Sequence, residues 1–332
     1  MKWLALGALA LLVVGCQSLA YYTQAIGGHL KVMAQARPVE EVIADPATDP
    51  GLKQRLQTAR RIREFASKRL GLPDNPSYGS YAQIDRPYVV YNVFAAPELS
   101  VEPKPECFPF TGCVSYRGFY KEEEARRHAQ KLREAGYDVY VGGVPAYSTL
   151  GWFDDPLLST FIGYPDAQLA RLVFHELAHQ LLYAKNDTTF NESFAVAVEE
   201  EGVKRWLESE GRATELEAFR ASQRRKRDFI ALVAETRKRL DDIYRAELPR
   251  EAKLEQKRAE LEKLRAAWPG AIPAEANNAF LASIGVYTDL VPMFERLLAQ
   301  SGSLEEFYAR AKKLASSGKR QVDDLAERRP RT

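Results

Sequence analysis

The residues able to do chemistry in this chain are few and close together. Only four histidines occur in 332 residues, and two of them stand four apart in Phe174-His175-Glu176-Leu177-Ala178-His179-Gln180. Leu169, Leu172, Val173, Phe174, Leu177, Leu181 and Leu182 surround them with the apolar spacing of a largely buried helix. Residues i and i+4 of a helix project about 40° apart, so both imidazoles leave the same face. Two imidazole nitrogens on one face are half of a tetrahedral zinc site. Glu176 follows the first histidine, where its carboxylate can take a proton from a metal-activated water as general base. The HExxH spacing therefore predicts zinc-dependent hydrolysis. With only two ligands, it also describes a pair of buried structural histidines.

Thirteen residues after His179 comes Phe190-Asn191-Glu192-Ser193-Phe194-Ala195, at the start of a second predicted helix. An HExxH helix followed by a helix bearing Asn-Glu-x-x-Ala resembles the gluzincin metallopeptidases. That resemblance implies a zincin-like catalytic domain, with His175, His179 and Glu192 as zinc ligands and Glu176 as the general base. Arg86 to Glu98, Tyr137 to Pro156 and the two zinc helices also resemble a group of bacterial lipoproteins labelled predicted aminopeptidases. This wider resemblance spans most of the chain and implies a peptide substrate. An aminopeptidase is the activity expected, with an endopeptidase of the same type as the alternative.

Glu192, Glu199, Glu200 and Glu201 all fall on the second helix, so the choice of ligand needs an argument. Glu199 is two turns beyond Glu192 on nearly the same face, about 10 Å along the axis. A ligand atom must come within about 2.2 Å of zinc, so the two cannot bind one ion together. Glu199 is better placed to accept an imidazole N–H and orient that ligand, and Asn191 is assigned the same supporting role. Tyr183 to Thr189 is polar enough to reverse the chain, and Ser193, Ala195 and Ala197 are small enough for close helix approach.

Other positions have a functional and a plain reading. Tyr287 is a candidate donor to the oxyanion of hydrolysis, or else a core aromatic. Gly142 and Gly143, in Tyr140-Val-Gly-Gly-Val-Pro-Ala-Tyr147, suit an edge strand that pairs with an extended peptide, or a strand that simply ends in a turn. Asp154 and Asp155 are candidates to hold a substrate α-amine. His128 reads as a surface residue, and Arg224-Arg225-Lys226-Arg227 as an exposed helix face in preference to a lipid contact.

The elements that must carry these residues are mainly helical. The expected fold class is α+β, with a small sheet from Pro87–Phe94, Val114–Tyr120 and Tyr137–Gly142, edged by a helix at Glu122–Ala135. Asp49-Pro50 opens a helix to Leu70, and the chain is helical almost throughout after Asp166. Residues 1–15 read as a lipoprotein signal peptide: Lys2, the uncharged run Trp3–Val14, then Val13-Val14-Gly15-Cys16, with Cys16 as the lipidated residue. Residues 16–36 read as a membrane-proximal tether and 37–332 as the metallopeptidase domain, with a helical hairpin insertion at 210–268. Gln17 in place of Asp points to the periplasmic face of an outer membrane in a Gram-negative envelope. Cys107 and Cys113 then remain, and in an exported chain a disulfide is the better reading than a zinc knuckle. Lys and Arg total 47 against 45 Asp and Glu, a balance that argues against a nucleic-acid partner. No G-x-S-x-G and no free cysteine support a nucleophilic hydrolase. The competing class is a non-catalytic envelope scaffold or chaperone, which has no use for Glu176.

Overall fold

The computed structural model describes residues 24, 26–108, 112–147, 149–270 and 272–317, and of Val286 and Tyr287 the backbone alone. Cys16 and the side chain of Tyr287 therefore lie outside the described part. Residues 26–34 form helix α1, followed by β1 (Ala36–Pro38), α2 (Val39–Ala44) and α3 (Pro50–Leu70). Next come β2 (Ser80–Ala82), β3 (Val90–Pro97), β4 (Glu106–Phe108), β5 (Gly112–Val114) and β6 (Arg117–Phe119), then α4 (Glu122–Glu134), β7 (Tyr137–Val144) and β8 (Leu157–Leu158). The remainder is helical: α5 (Asp166–Leu181), α6 (Thr188–Ser209), α7 (Ala213–Arg245), α8 (Arg250–Ala267), α9 (Asn278–Thr288), α10 (Val291–Ala299) and α11 (Leu304–Ser317). The fold is α+β and mainly helical. No helix among the described residues is long and apolar enough to cross a membrane.

Local chemistry sets the helix ends. Asp49 accepts from Leu52 N at 3.0 Å and Pro50 occupies the first turn of α3, where its missing N–H costs nothing. Gly71 ends that helix at φ 67°, a left-handed cap open to glycine without a Cβ clash. At the start of α5, Asp166 suits the helix dipole and pairs with Arg55 of α3 and with Arg212 at 2.9 Å. These helices share one core. Leu56, Ile62 and Ala66 of α3, Leu169, Val173, Phe174 and Leu177 of α5, and Phe194, Val203 and Trp206 of α6 are all buried in it. Phe194 also touches Phe294 and Phe307, so α6 is covered by α10 and α11 as well as by α5.

The main sheet has the order β6-β3-β7, antiparallel throughout, with Asn92 opposite Gly142 and Tyr91 opposite Gly143. Val93, Phe119 and Val139 pack on Ala125 and Ala129 of α4. Phe94 and Ala96 turn the other way, onto Ala279 of α9. The α7–α8 hairpin is bound to this sheet and to α9: Lys257 Nζ lies 2.6 Å from Asp138 Oδ2 of β7, and Tyr244 Oη donates to Asn278 Oδ1 of α9 at 2.9 Å. A buried ion pair and a second apolar cluster around Leu240, Leu264 and Leu281 hold it there.

Three expectations are corrected. The strand expected at 114–120 is the shorter β6, Arg117–Phe119, paired with β3, while Val114 ends β5, which pairs with β4 across the Cys107–Cys113 disulfide. His128 is half-buried, with its ring against Phe119 and its Nε2 enclosed without a partner, and burial lowers its pKa. Part of the segment read as a tether is folded: Val32 and His29 of α1 are buried, and Ala36–Pro38 pairs with β2.

Gly202 of α6 packs against both α5 and α3. A Cβ there would lie 2.7 Å from Phe174 Cδ2 and 2.9 Å from Leu70 Cδ1. Gly202→Val should therefore destabilise the fold by about 2–3 kcal/mol through overpacking, despite a small gain in helix propensity. Thermal unfolding checks it: an unchanged or raised midpoint would mean that the helices can move apart freely.

Candidate metal centre and its cleft

The helix α5 presents His175 and His179 one turn apart, and α6 brings Glu192 from its first turn to the same point. A short reversal connects them, and its geometry is braced by two polar residues. Asp187 caps α6 by accepting from Phe190 N at 3.0 Å. Asn191 accepts from Ala184 N at 2.6 Å and donates to Ala184 O at 2.8 Å. Both ends of its amide are thus engaged with the turn. Asn191 is corrected from a ligand support to a turn brace; it sets where Glu192 stands without bonding to a ligand.

The three side chains converge. His175 Nε2 lies 3.2 Å from His179 Nε2 and 3.2 Å from Glu192 Oε2, and His179 Nε2 lies 3.5 Å from the same oxygen. Two ligands held about 2.0–2.1 Å from one zinc ion at a tetrahedral angle are about 3.4 Å apart. All three edges of this triangle fit that value. Two nitrogens and a carboxylate oxygen are also a donor set that zinc accepts, so these residues could hold a metal ion.

Glu199 stands behind the triangle. Its Oε2 is 2.9 Å from His175 Nδ1, the geometry of an imidazole N–H donating to a carboxylate, and this leaves Nε2 facing the other two ligand atoms. The other oxygen, Oε1, accepts from Arg171 Nη1 at 3.2 Å and is 3.8 Å from Lys226 Nζ. Burial would raise the pKa of Glu199, but Arg171, His175 and Lys226 outweigh it and hold it down at about 2. For Glu192, burial likewise acts upward and the two histidines bring it down to about 2. For His175, burial favours the neutral ring, yet Glu192 and Glu199 overcome it and lift the pKa to about 10 in the metal-free protein. Burial raises Glu176 against the pull of His175 and His179.

His175, Glu176, His179 and Glu192 line a cleft of about 640 Å³ together with Tyr147, Tyr183 and Arg171. Gly142 and Gly143 stand elsewhere, in an adjoining apolar pocket of about 350 Å³ with Phe94, Tyr140, Phe229 and Ile284; Val144 borders both spaces. β7 is an edge strand of the main sheet, as the glycines suggested, but Gly143 is also required by packing: a Cβ would lie 2.2 Å from the Tyr88 ring. Asp155 is buried, accepting from Thr149 N at 2.8 Å, and Asp154 is exposed; neither lines the cleft. Tyr287 falls on α9, with its side chain outside the described part.

Sequence reading missed Arg171, Lys226, Tyr147 and Tyr183. Arg171 had a usable signal, since it precedes His175 by four residues and shares its face. Lys226 was hidden in a basic cluster whose Arg224, Arg225 and Arg227 are indeed exposed; Lys226 alone turns inward, to Glu200 at 3.1 Å.

A family model described as putative aminopeptidase matches residues 20–325. The chain belongs to that family. Membership points to a peptidase, and the matched range contains all three candidate metal ligands and both helices that carry them. No curated protein and no solved structure matches the chain.

Metal binding requires unprotonated imidazole nitrogen. Because His175 is lifted to about 10, it carries its proton at neutral pH in the metal-free protein, and a metal must displace it. Affinity should therefore rise with pH through the neutral range and level off above about pH 10, with about one proton released at pH 7. Calorimetric zinc titrations in buffers of different ionisation enthalpy measure this number; a buffer-independent enthalpy would contradict it.

Proposed function

We propose that this chain is a zinc-dependent peptidase that hydrolyses peptide bonds with water, His175, His179 and Glu192 holding the metal and Glu176 acting as general base. The observation that carries the proposal is the triangle of ligand atoms, with Glu176 in the same cleft on the same helix. When bound, zinc supplies Lewis acidity to the scissile carbonyl and to water. Glu176 takes the proton of the attacking water and returns it to the leaving amine, so no covalent enzyme intermediate is needed. Glu199 fixes the ring of His175, and Arg171 and Lys226 keep Glu199 ionised. Among the described phenols lining the cleft, Tyr183 lies within the field of Glu192 and is the candidate donor to the developing oxyanion; Tyr147 is engaged with His29 at 2.7 Å.

The family description favours attack at the amino end of a peptide. An endopeptidase is the second reading, and one observation favours it. The carboxylates lining the cleft are Glu176, Glu192 and Glu199, each already given a task, so none is left to bind a substrate α-amine among the described residues. The disulfide and the N-terminal sequence support export, with Cys16 as the lipid attachment site of an outer-membrane lipoprotein facing the periplasm.

Glu176→Gln should keep the fold and the bound metal but lower peptide hydrolysis by about 10³-fold, because it removes only the proton acceptor. Turnover of a peptide that the wild type cleaves, with metal content measured on both proteins, checks this. Equal rates would sink the mechanism.

A further inference from the structure

Ile26, Leu30, Trp152 and Phe153 are unusually exposed for large apolar side chains, at 58%, 55%, 79% and 50%. They stand on two neighbouring elements, helix α1 and the 149–153 loop. Ile26 and Leu30 are one turn apart on α1 and share its outer side, while His29 and Val32 face inward. The His29 ring lies against Phe153, with centroids 4.5 Å apart, and this sets the 149–153 loop beside α1.

The loop is braced in this position. Thr149 N donates to the buried Asp155 carboxylate at 2.8 Å, Phe153 N donates to Thr149 Oγ1 at 3.1 Å, and Trp152 N donates to Thr149 O at 3.1 Å. A turn held this firmly projects Trp152 outward. Large apolar side chains left exposed on neighbouring elements mark a contact surface.

We propose that this face lies in the interfacial layer of a lipid bilayer and holds the mouth of the metal cleft against it. The sequence before α1 supplies the reason to choose lipid. An uncharged apolar run, Trp3–Val14, precedes Cys16, and Ile26 lies ten positions beyond Cys16. Ten residues span at most about 35 Å, so a chain held in a bilayer near Cys16 keeps this face close to it. Tryptophan and phenylalanine between water and hydrocarbon are the side chains such an interface favours. The charged neighbours, Lys31 beside Leu30 and Asp154 beside Phe153, cancel, so the contact is apolar and does not select anionic lipid. Leu150 of the same loop lines the cleft, and a Cβ added at Gly151 would lie 3.9 Å from Gln180 Oε1 of α5, so the loop runs beside that helix. The substrate class that this placement fits is a peptide lying at, or emerging from, the membrane surface.

The test uses the full chain reconstituted in phosphatidylcholine vesicles, with and without phosphatidylglycerol, and reads tryptophan fluorescence in place of hydrolysis. It therefore stands whether or not the cleft cleaves peptides. Subtracting the Trp152→Phe spectrum from that of wild type isolates Trp152. This component should be quenched about two-fold by lipid brominated near the headgroup, equally in both vesicle types and at high salt. A Trp152 component that iodide quenches and brominated lipid does not would overturn the proposal. Quenching that requires phosphatidylglycerol would overturn the apolar contact, and protection from both quenchers would give the face to a protein partner.

Discussion

Everything at the candidate site depends on how closely α5 and α6 approach each other. Three ligand atoms within 3.2–3.5 Å of one another demand that two helices be held in fixed register over their first shared turns. The amide of Asn191, locked onto Ala184, fixes the reversal. Gly202 lets the helices close further along, and Phe194, Phe294 and Phe307 press α6 into place from its other side. Buried side chains packed to native density cannot move independently, so the triangle of candidate metal ligands is a consequence of the helical core.

Around that triangle the charges form an ordered set. Glu199 serves three cations at once, counting His175 when it is protonated, with Arg171 and Lys226 as the permanent two. The hairpin α7–α8 gains a role from this arrangement: it carries Lys226 to the cleft wall, and its own anchor is the buried Lys257–Asp138 pair on the sheet. An addition that looks peripheral in the sequence thereby supports the orientation of a candidate metal ligand through one carboxylate.

Much of this was legible in the residues. His175 and His179 announce themselves because helical spacing alone puts them on one face, and the two-turn spacing from Glu192 to Glu199 separates a carboxylate at the triangle from one behind it. Helix limits at Pro50 and Gly71 follow from capping chemistry that is local by nature. What was not legible is what depends on distant parts of the chain meeting. Whether Lys226 or its arginine neighbours turn inward depends on which side of α7 meets α6. That Gly143 exists to admit the Tyr88 ring, and that β5 and β6 serve different sheets, are facts of pairing. Asn191 was noticed for its place beside Glu192, yet its task is set by Ala184, seven residues back. His128 sits in a charged helix whose inner side only the sheet reveals.

The central claim is that His175, His179 and Glu192 hold one zinc ion. X-ray absorption at the zinc edge of the purified wild-type chain tests it most directly. The account predicts one zinc per chain, with two imidazoles and oxygen completing a four-coordinate shell at about 2.0–2.1 Å. A chain that acquires no stoichiometric zinc, or a zinc shell without imidazole scattering, would contradict it.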